Sequence, residues 1–353
     1  MLQFGNEEGG FHYGLKEKLP TNTVLIDELS MVNLELFLAV LRAVPLGAKL
    51  IMLGDFGQLE SIGVGVMASF IKSKKVPMML LKKIHRQAEK SAIITHSIAY
   101  RNGKIPSEVD MKSIKEPQVH GEMEDLEYFF VEDEAEIGVN VLKYFSSLLK
   151  TYDLQETQIL CPTKSTGSVH CAYLNEKAQM IANPSDGSKI EIEVGYKGKE
   201  YILREGDKVI NMKNTRDTKS PNGDDRPIYN GNTGIVKSID VSEMAITVDF
   251  DGIGEVVVTT ENLNNIELGY AITLHKAQGS TIKCVVMALP NHYLLNSKEL
   301  LYTGITRASN YQVLVTTEKA LRSAVKKSNA TKKNVSLDIF LQDYDKWKGL
   351  ITA

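Results

Sequence analysis

VLIDELSMVNLELF, residues 24–37, decides the fold class. Three apolar residues, Val24 to Ile26, run directly into the adjacent acids Asp27 and Glu28, and a helical pattern takes over from Leu29. A buried strand that ends on paired carboxylates can present them to a magnesium ion and a water beside a nucleotide. A second strand of the same kind follows, because AKLIMLGD, residues 48–55, stays apolar until it also ends in an acid, Asp55. With the amphipathic segment NLELFLAVLRAV between them, the two strands open a parallel α/β pattern.

Further along, SAIITHSIAYRNGK (91–104) reads as a helix closed by Asn102-Gly103, and Pro106 begins a charged polar link that runs to Asp125. LEYFFVED, the helical AEIGVNVLKYFSSLLK, the strand TQILCP and the helix SVHCAYLNEKAQMIA, halted by Asn183-Pro184, make a second α/β block. From about Glu191 the texture changes. REGDKVINMKN, GNTGIVKSID, AITVDF and GEVVVTT are short alternating runs split by Gly, Asn and Asp, the pattern of a small antiparallel barrel. YAITLH, KCVVMALP and YQVLVTT then resume apolar strands, so the barrel reads as an insertion. The expected division is residues 1–105, 106–190, 191–266 and 267–353, with a terminal helix around LDIFLQDYDKW.

The composition, 353 residues with 43% hydrophobic and 24% charged, is that of an ordinary globular chain long enough for two or more domains. A net charge of −3 excludes a generally basic protein, so any nucleic-acid contact has to come from a local groove. No apolar run is long enough to span a bilayer and MLQFGNEEGGF lacks the features of a signal peptide, so the expected location is cytoplasmic, with no membrane partner. Cys161, Cys171 and Cys284 are too few and too scattered for a disulfide framework and read as reduced core thiols.

Three further stretches carry candidate chemistry. LGDFGQL, residues 53–59, places Asp55 and Gln58 just past a buried strand, where a carboxamide can hydrogen-bond a terminal phosphate or its attacking water. Its alternative is a tight glycine turn with a capping Asp; the acids one strand earlier favour the nucleotide reading. ITLHKAQGST, residues 272–281, ends a strand in His275, Lys276 and Gln278 and turns at Gly279 into Ser280 and Thr281, offering N–H groups, hydroxyls and a cation to a phosphate. ELLYTGITRAS, residues 299–309, reads as a helix whose register gathers Thr303, Thr306 and Arg307. An arginine fixed there can reach a transferring phosphoryl group; the alternative is a surface salt bridge. Tyr201, Tyr229 and Tyr293 are candidates for base stacking, against a core or rim role, and the polar segment 213–226 is a barrel loop able to reach a strand.

In this order, VLIDELSMV, LGDFGQL, LKKIHRQ, YAITLHKAQGST and LLYTGITRAS resemble the later motifs of superfamily 1 DNA helicases of the RecD-like and Dda-like branch. With ILCPTK and REGDKVINMKN to YNGNTGIV between them, the resemblance covers roughly residues 20 to 320. It implies two RecA-like P-loop NTPase-type domains, the first incomplete, with a Src-homology-3-like barrel inserted in the second near the DNA. It also implies ATP and Mg2+ in the cleft, single-stranded DNA as partner, 5′-to-3′ translocation, and work in DNA repair or recombination. By the same resemblance Asp27 and Glu28 would be the Walker B pair, Asp27 on magnesium and Glu28 polarising the hydrolytic water. Gln58 would sense the terminal phosphate, Arg86 would approach it from the end of the first domain, and Arg307 would be the arginine finger. Asp55 and Gly279 would adjoin the nucleotide, and His275, Lys276, Gln278, Ser280 and Thr281 would couple the cleft to DNA.

The family's phosphate loop, G-x-x-x-x-G-K-[ST], belongs upstream of the Walker B strand, where backbone N–H groups and a lysine cradle the β and γ phosphates. No such string occurs in the sequence, and GNEEGGFHYG (5–14) carries acids with no Lys-Ser/Thr pair after it. The expectation is therefore the carboxy-terminal part of an ATP-dependent helicase, inactive by itself, completed by a longer gene product or by a polypeptide that supplies the loop. The alternative is a non-hydrolysing DNA-binding or regulatory subunit. A first domain without its phosphate-loop strand is also expected to expose apolar sheet residues.

Overall fold

The computed structural model describes residues 11–81, 89–195, 200–329 and 337–343. Strands Thr23–Ile26 and Lys49–Met52 pair in parallel, Val24 beside Leu50 and Ile26 beside Met52. The helix Leu34–Ala43 joins them and begins where the Asn33 side chain accepts the Leu36 N–H at 2.9 Å. Phe37, Val40 and Ala43 on its inner face share a small core with Val24, Ile26 and Phe70, the last edge-on to Phe37. Strand alternation turns Leu25 (56% exposed) and Ile51 (44% exposed) to the other face of the sheet, and Leu34, Leu38 and Leu41 stay exposed on the helix. Parallel sheets are ordinarily covered on both faces, so apolar exposure is concentrated in this small unit, as expected.

The larger sheet runs in the order Ala271–Thr273, Thr157–Cys161, Ile282–Leu289, Ala308–Thr316, Leu126–Phe130 and Pro117–His120. The first five strands are mutually parallel and Pro117–His120 is antiparallel at the edge. On one face Ile137, Val141 and Phe145 of the helix Ala135–Leu148 and Leu174 and Ala178 of the helix Cys171–Ala182 cover Ile159, Val286 and Val313. On the other, the helices Ala92–Arg101, Lys298–Ile305 and Glu318–Lys326 bury Ile93, Tyr100, Leu300, Ile305 and Leu321 against Leu160, Val285 and Leu314. Cover on both faces explains why every residue of Thr157–Cys161 is buried.

Between Cys161 and Ala271, two strands that end as neighbours in the larger sheet, the chain builds the second β unit. Its five antiparallel strands run in the order Gly254–Val258, Ala245–Phe250, Thr233–Asp240, Lys208–Asn211 and Ile266–Leu268, next to a hairpin of Glu191–Val194 with Tyr201–Arg204. Two buried charges fasten it. Lys208 donates to the carbonyls of Leu154, Gln155 and Thr157 at 3.0, 3.3 and 2.8 Å. Asp207 accepts from Gln179, Asn183, Tyr270 and the Arg204 N–H at 2.6, 2.7, 2.8 and 2.8 Å.

Three local readings differ from the structure. The helix expected over 299–309 stops at Ile305, and Ala308 already belongs to a strand parallel to Ile282–Leu289. The link expected from Pro106 to Asp125 contains the edge strand Pro117–His120, half of whose residues face solvent, so no apolar run betrays it. The helix Ala92–Arg101, read with residues 1–105, packs in the core of the larger sheet; its first turn is held there by Asp125, whose carboxylate accepts the Ala92 N–H at 2.8 Å and the Ser91 hydroxyl. The three cysteines are free, buried thiols. Among the described residues no helix is long and apolar enough to cross a membrane.

Candidate functional site

Where the first parallel strand ends, Asp27 turns its Oδ1 onto the Glu28 N–H at 2.8 Å, and Glu28 adopts a left-handed conformation, φ 52° and ψ 47°. For a residue with a Cβ this costs about 1–2 kcal/mol, a strain characteristic of functional turns. The turn is tied to the next strand by Leu29 N–H to Leu53 O and Leu53 N–H to Ile26 O, both 2.8 Å. Both carboxylates are thereby held at the carboxyl end of the small parallel sheet, the edge where open α/β sheets bind ligands.

The 55–59 loop follows the second strand and is fastened to the larger sheet's side of the molecule. Asp55 accepts the Gly57 N–H at 2.9 Å and the Tyr302 hydroxyl at 2.6 Å, and lies 3.4 Å from the Arg101 guanidinium. The Leu59 N–H donates to Thr303 Oγ1 at 2.8 Å, and Gln278 donates to Leu59 O at 2.8 Å. Inside this bonded frame the buried Gln58 Oε1 has no hydrogen-bond partner among the described residues. A buried amide oxygen without a partner is costly and uncommon in a folded protein; here it lies in the loop that follows the second parallel strand.

Arg307 follows the Lys298–Ile305 helix and is 7% exposed. Its Nε donates to Thr303 O at 3.1 Å, Nη1 to Ser280 O at 2.9 Å and Nη2 to Thr306 Oγ1 at 3.4 Å. The expected grouping of Thr303, Thr306 and Arg307 is present, although a turn rather than a continuing helix produces it. Burial pushes the Arg307 pKa down, while the carboxylates of Glu28 and Asp55 and the Tyr302 phenol oppose that shift. A desolvated guanidinium is thus held mainly by neutral carbonyl and hydroxyl oxygens, within electrostatic reach of Glu28 and Asp55.

The 272–281 stretch divides its residues between two neighbours. Its strand ends at Thr273, ahead of the residues expected to finish it. Gln278 grips the 55–59 loop, Ser280 donates its hydroxyl to Ala277 O at 2.7 Å, and its carbonyl holds Arg307. Lys276 points the other way, its Nζ 3.1 Å from Met212 Sδ and 3.0 Å from Asn230 Oδ1, and burial lowers its pKa. Gly279 turns the chain at φ 77°, His275 is half-buried and Thr281 is exposed.

Of the stacking candidates, Tyr201 commits its hydroxyl to Ile266 O inside the β unit, whereas Tyr229, next to Asn230, is 49% exposed. Tyr293 is 84% exposed with the Lys327 ammonium 5.1 Å from its ring centroid. The polar 213–226 segment folds back on itself, Thr215 and Ile228 exchanging N–H groups at 2.8 and 2.9 Å and Ser220 turning onto Asp224 at 2.8 Å. Arg86 lies outside the described residues. Sequence reasoning missed Arg101 and Tyr302. The tyrosine sits inside the quoted LLYTGITRAS stretch but carries no signal of its own, and Arg101 reads as an ordinary basic residue in a helix's last turn.

Three domain families match the chain: an AAA domain over residues 7–121, an ATP-dependent RecD-like DNA helicase SH3 domain over 174–250, and a UvrD-like helicase C-terminal domain over 268–315. The chain is 29% identical over 310 residues to the ATP-dependent RecD2 DNA helicase of Deinococcus radiodurans, covering 87% of this chain and 38% of that one. It is 27% identical over 334 residues to the RecBCD enzyme subunit RecD of Mycobacterium tuberculosis, covering 89% and 53%. The chain therefore spans about half, or less, of these curated relatives. The crystal structure of Pif1 helicase from Candida albicans shares the fold with a TM-score of 0.50 at 18% identity, covering 94% of this chain and 77% of that one.

Proposed function

We propose, for a chain built from the domains of RecD-like superfamily 1 helicases, that its cleft is the catalytic half-site of an ATP-dependent helicase moving 5′ to 3′ on single-stranded DNA. The observation that supports this reading is that the loop bearing Gln58, whose buried oxygen has no partner among the described residues, is bonded to Tyr302 and Thr303 on the helix that leads to the buried Arg307, whose lowered pKa the carboxylates of Glu28 and Asp55 oppose. These residues fit an ATP–magnesium terminal phosphate: two carboxylates for the metal and water, an amide to orient, and a planar cation for developing charge.

Bound Mg-ATP supplies the phosphoanhydride whose hydrolysis drives movement. Asp27 would hold the magnesium ion, and Glu28 would accept the proton of the attacking water. Gln58 would orient that water, and Arg307 would offset negative charge developing on the transferred phosphoryl group. The placing of Gln58 relative to Arg307 depends on the 55–59 loop being seated against Thr303. At the far end of the same stretch, Lys276 with Asn230 and the exposed Tyr229 forms the candidate contact with DNA, where a phosphate would compete for the ammonium and a base could stack.

Residues 1–353 contain no lysine-bearing phosphate loop, so turnover needs a polypeptide that carries one. Purified residues 1–353 are expected to hydrolyse ATP negligibly with or without single-stranded DNA. A longer polypeptide carrying both these residues and the loop is expected to turn over, and to lose turnover in Glu28→Gln and Arg307→Ala. DNA-stimulated turnover by residues 1–353 would refute the need for the loop. A longer polypeptide that binds DNA but hydrolyses no ATP would leave the DNA-binding subunit as the correct reading. A substrate with a 5′ tail unwound in preference to one with a 3′ tail tests the direction.

A further inference from the structure

Arg101 ends the Ala92–Arg101 helix, whose buried residues belong to the core of the larger sheet, yet its side chain reaches out over the 55–59 loop. The guanidinium carbon sits 4.2 Å from the Phe56 ring centroid and 5.7 Å from that of Tyr302, and Nη2 is 3.4 Å from Asp55 Oδ1. The stem passes so close to Gly57 that a Cβ there would lie 2.8 Å from both Arg101 Cδ and Nε. Gly57 is thus the residue that lets an arginine lie across the loop. Tyr302 completes the arrangement from the helix that leads to Arg307, closing on the other oxygen of Asp55.

We propose that Arg101 is a positioning residue of the cleft. Clasping Asp55 and Phe56 together with Tyr302, it holds the 55–59 loop against the helix that leads to Arg307, and so fixes Gln58 relative to that arginine. The inference rests on the ATP-hydrolysing reading given above, and it assigns a task to a residue outside the stretches that carry the helicase resemblance. Two features make the clasp suited to this task. Its anchors lie on rigid helices at the core of the larger sheet. It also combines an ion pair with stacking on Phe56, which constrains the orientation of the loop as well as its distance. A lysine reproduces the charge alone.

The test has two readouts. In the ATP-competent longer polypeptide, Arg101→Ala is expected to lower kcat by about tenfold to a hundredfold, the size of effect that misplacement of a reacting group by about an ångström produces. KM for ATP should remain within about threefold of wild type, because the contacts of Arg101 are with Asp55, Phe56 and Tyr302 and serve to position the loop. Arg101→Lys should recover only part of the loss. Gly57→Ala, which displaces the arginine without removing it, should reproduce the kcat defect, and the double variant should be no worse than either single variant. The second readout needs no turnover: in residues 1–353, amide exchange at Gly57 and Leu59 should quicken about tenfold or more in Arg101→Ala, with the core of the larger sheet unchanged.

Multiplicative losses in the double variant, or wild-type kcat in Arg101→Ala, would overturn the proposal. So would unchanged exchange at Gly57 and Leu59. If the wild-type longer polypeptide proves silent, the hydrolytic reading fails, and the exchange experiment alone then decides whether Arg101 holds the loop.

Discussion

Replacing Lys208 with methionine tests how the inserted β unit is fastened to the larger sheet. Lys208 is 2% exposed, and its ammonium donates to three carbonyls of residues 154, 155 and 157, the approach to and first residue of a central strand. Methionine keeps most of the apolar stem but removes all three donors. Each buried acceptor left without a partner costs about 1–3 kcal/mol. Against this stands the removal of a desolvated charge, a penalty of several kcal/mol, whose presence shows in a Lys208 pKa pushed down to about 8 by burial. Because Leu154 O also accepts the Thr157 N–H at 3.3 Å, not every carbonyl is fully orphaned, and the net loss is about 2–4 kcal/mol. Urea unfolding followed by far-ultraviolet circular dichroism measures it. Amide exchange in Lys208–Asn211 and Ile266–Leu268 should show whether the loss is local to the β unit. Lys208→Met within about 0.5 kcal/mol of wild type, with exchange unchanged, would refute the reasoning, because three satisfied carbonyls would then have been worth nothing.

Gln58→Leu keeps the side-chain volume and removes an oxygen that bonds nothing in the described structure. Stability should change by less than about 0.5 kcal/mol while kcat of the ATP-competent polypeptide falls about a hundredfold; wild-type turnover would remove Gln58 from the mechanism. His96 and His120 are both held below the ordinary histidine pKa, chiefly by burial, with Glu108 opposing. The unfolded chain therefore takes up protons that the folded site resists, so stability is full above about pH 6.5 and declines as pH falls through the depressed folded values. Melting temperatures from pH 7.5 to 5 should show that decline, reduced in the His96→Gln/His120→Asn variant; an identical slope in both proteins would exclude the histidines. Tyr229→Ala should weaken single-stranded DNA binding by about 1–3 kcal/mol irrespective of base sequence, measured by fluorescence anisotropy at fixed salt, and equal affinity would place the strand elsewhere.

The legible parts of this chain are those where one physical requirement dominates a short run of residues. Thr23–Ile26 and Lys49–Met52 could be read because an apolar strand ending in an acid is an unusual local combination. The insertion after Glu191 could be read because hydrophobic periodicity changes there from blocks to alternation. Arg307 was recognisable through its neighbours Thr303 and Thr306, though the helix ends about one turn earlier than its pattern suggests: the Thr306 N–H still donates a helical bond to Tyr302 O, and only the strand pairing of Ala308 shows that the element has ended. Pro117–His120 was invisible because an antiparallel edge strand with alternating exposure needs few apolar residues. Arg101 was invisible for a different reason. Its role depends on Gly57 and Phe56, more than forty positions away, and local pattern contains no information about which loop a helix end will face.

Seating the 55–59 loop has a consequence for how hydrolysis would be transmitted. The loop leaves the small sheet directly after Leu53, which is bonded to the acidic turn, and within six residues it is bonded to Arg101, Tyr302, Thr303 and Gln278. A displacement of the Glu28 turn that accompanied loss of the terminal phosphate would reach Leu59 through a segment too short to absorb it. At Leu59 two directions open. Through Thr303 it leads to Arg307, and through Gln278 to Lys276 and the Asn230 side of the β unit. Gln278→Leu would cut the second branch while leaving the first intact. ATP hydrolysis should then continue at near the wild-type rate while strand displacement per ATP falls, a separation that equal loss of both activities would rule out.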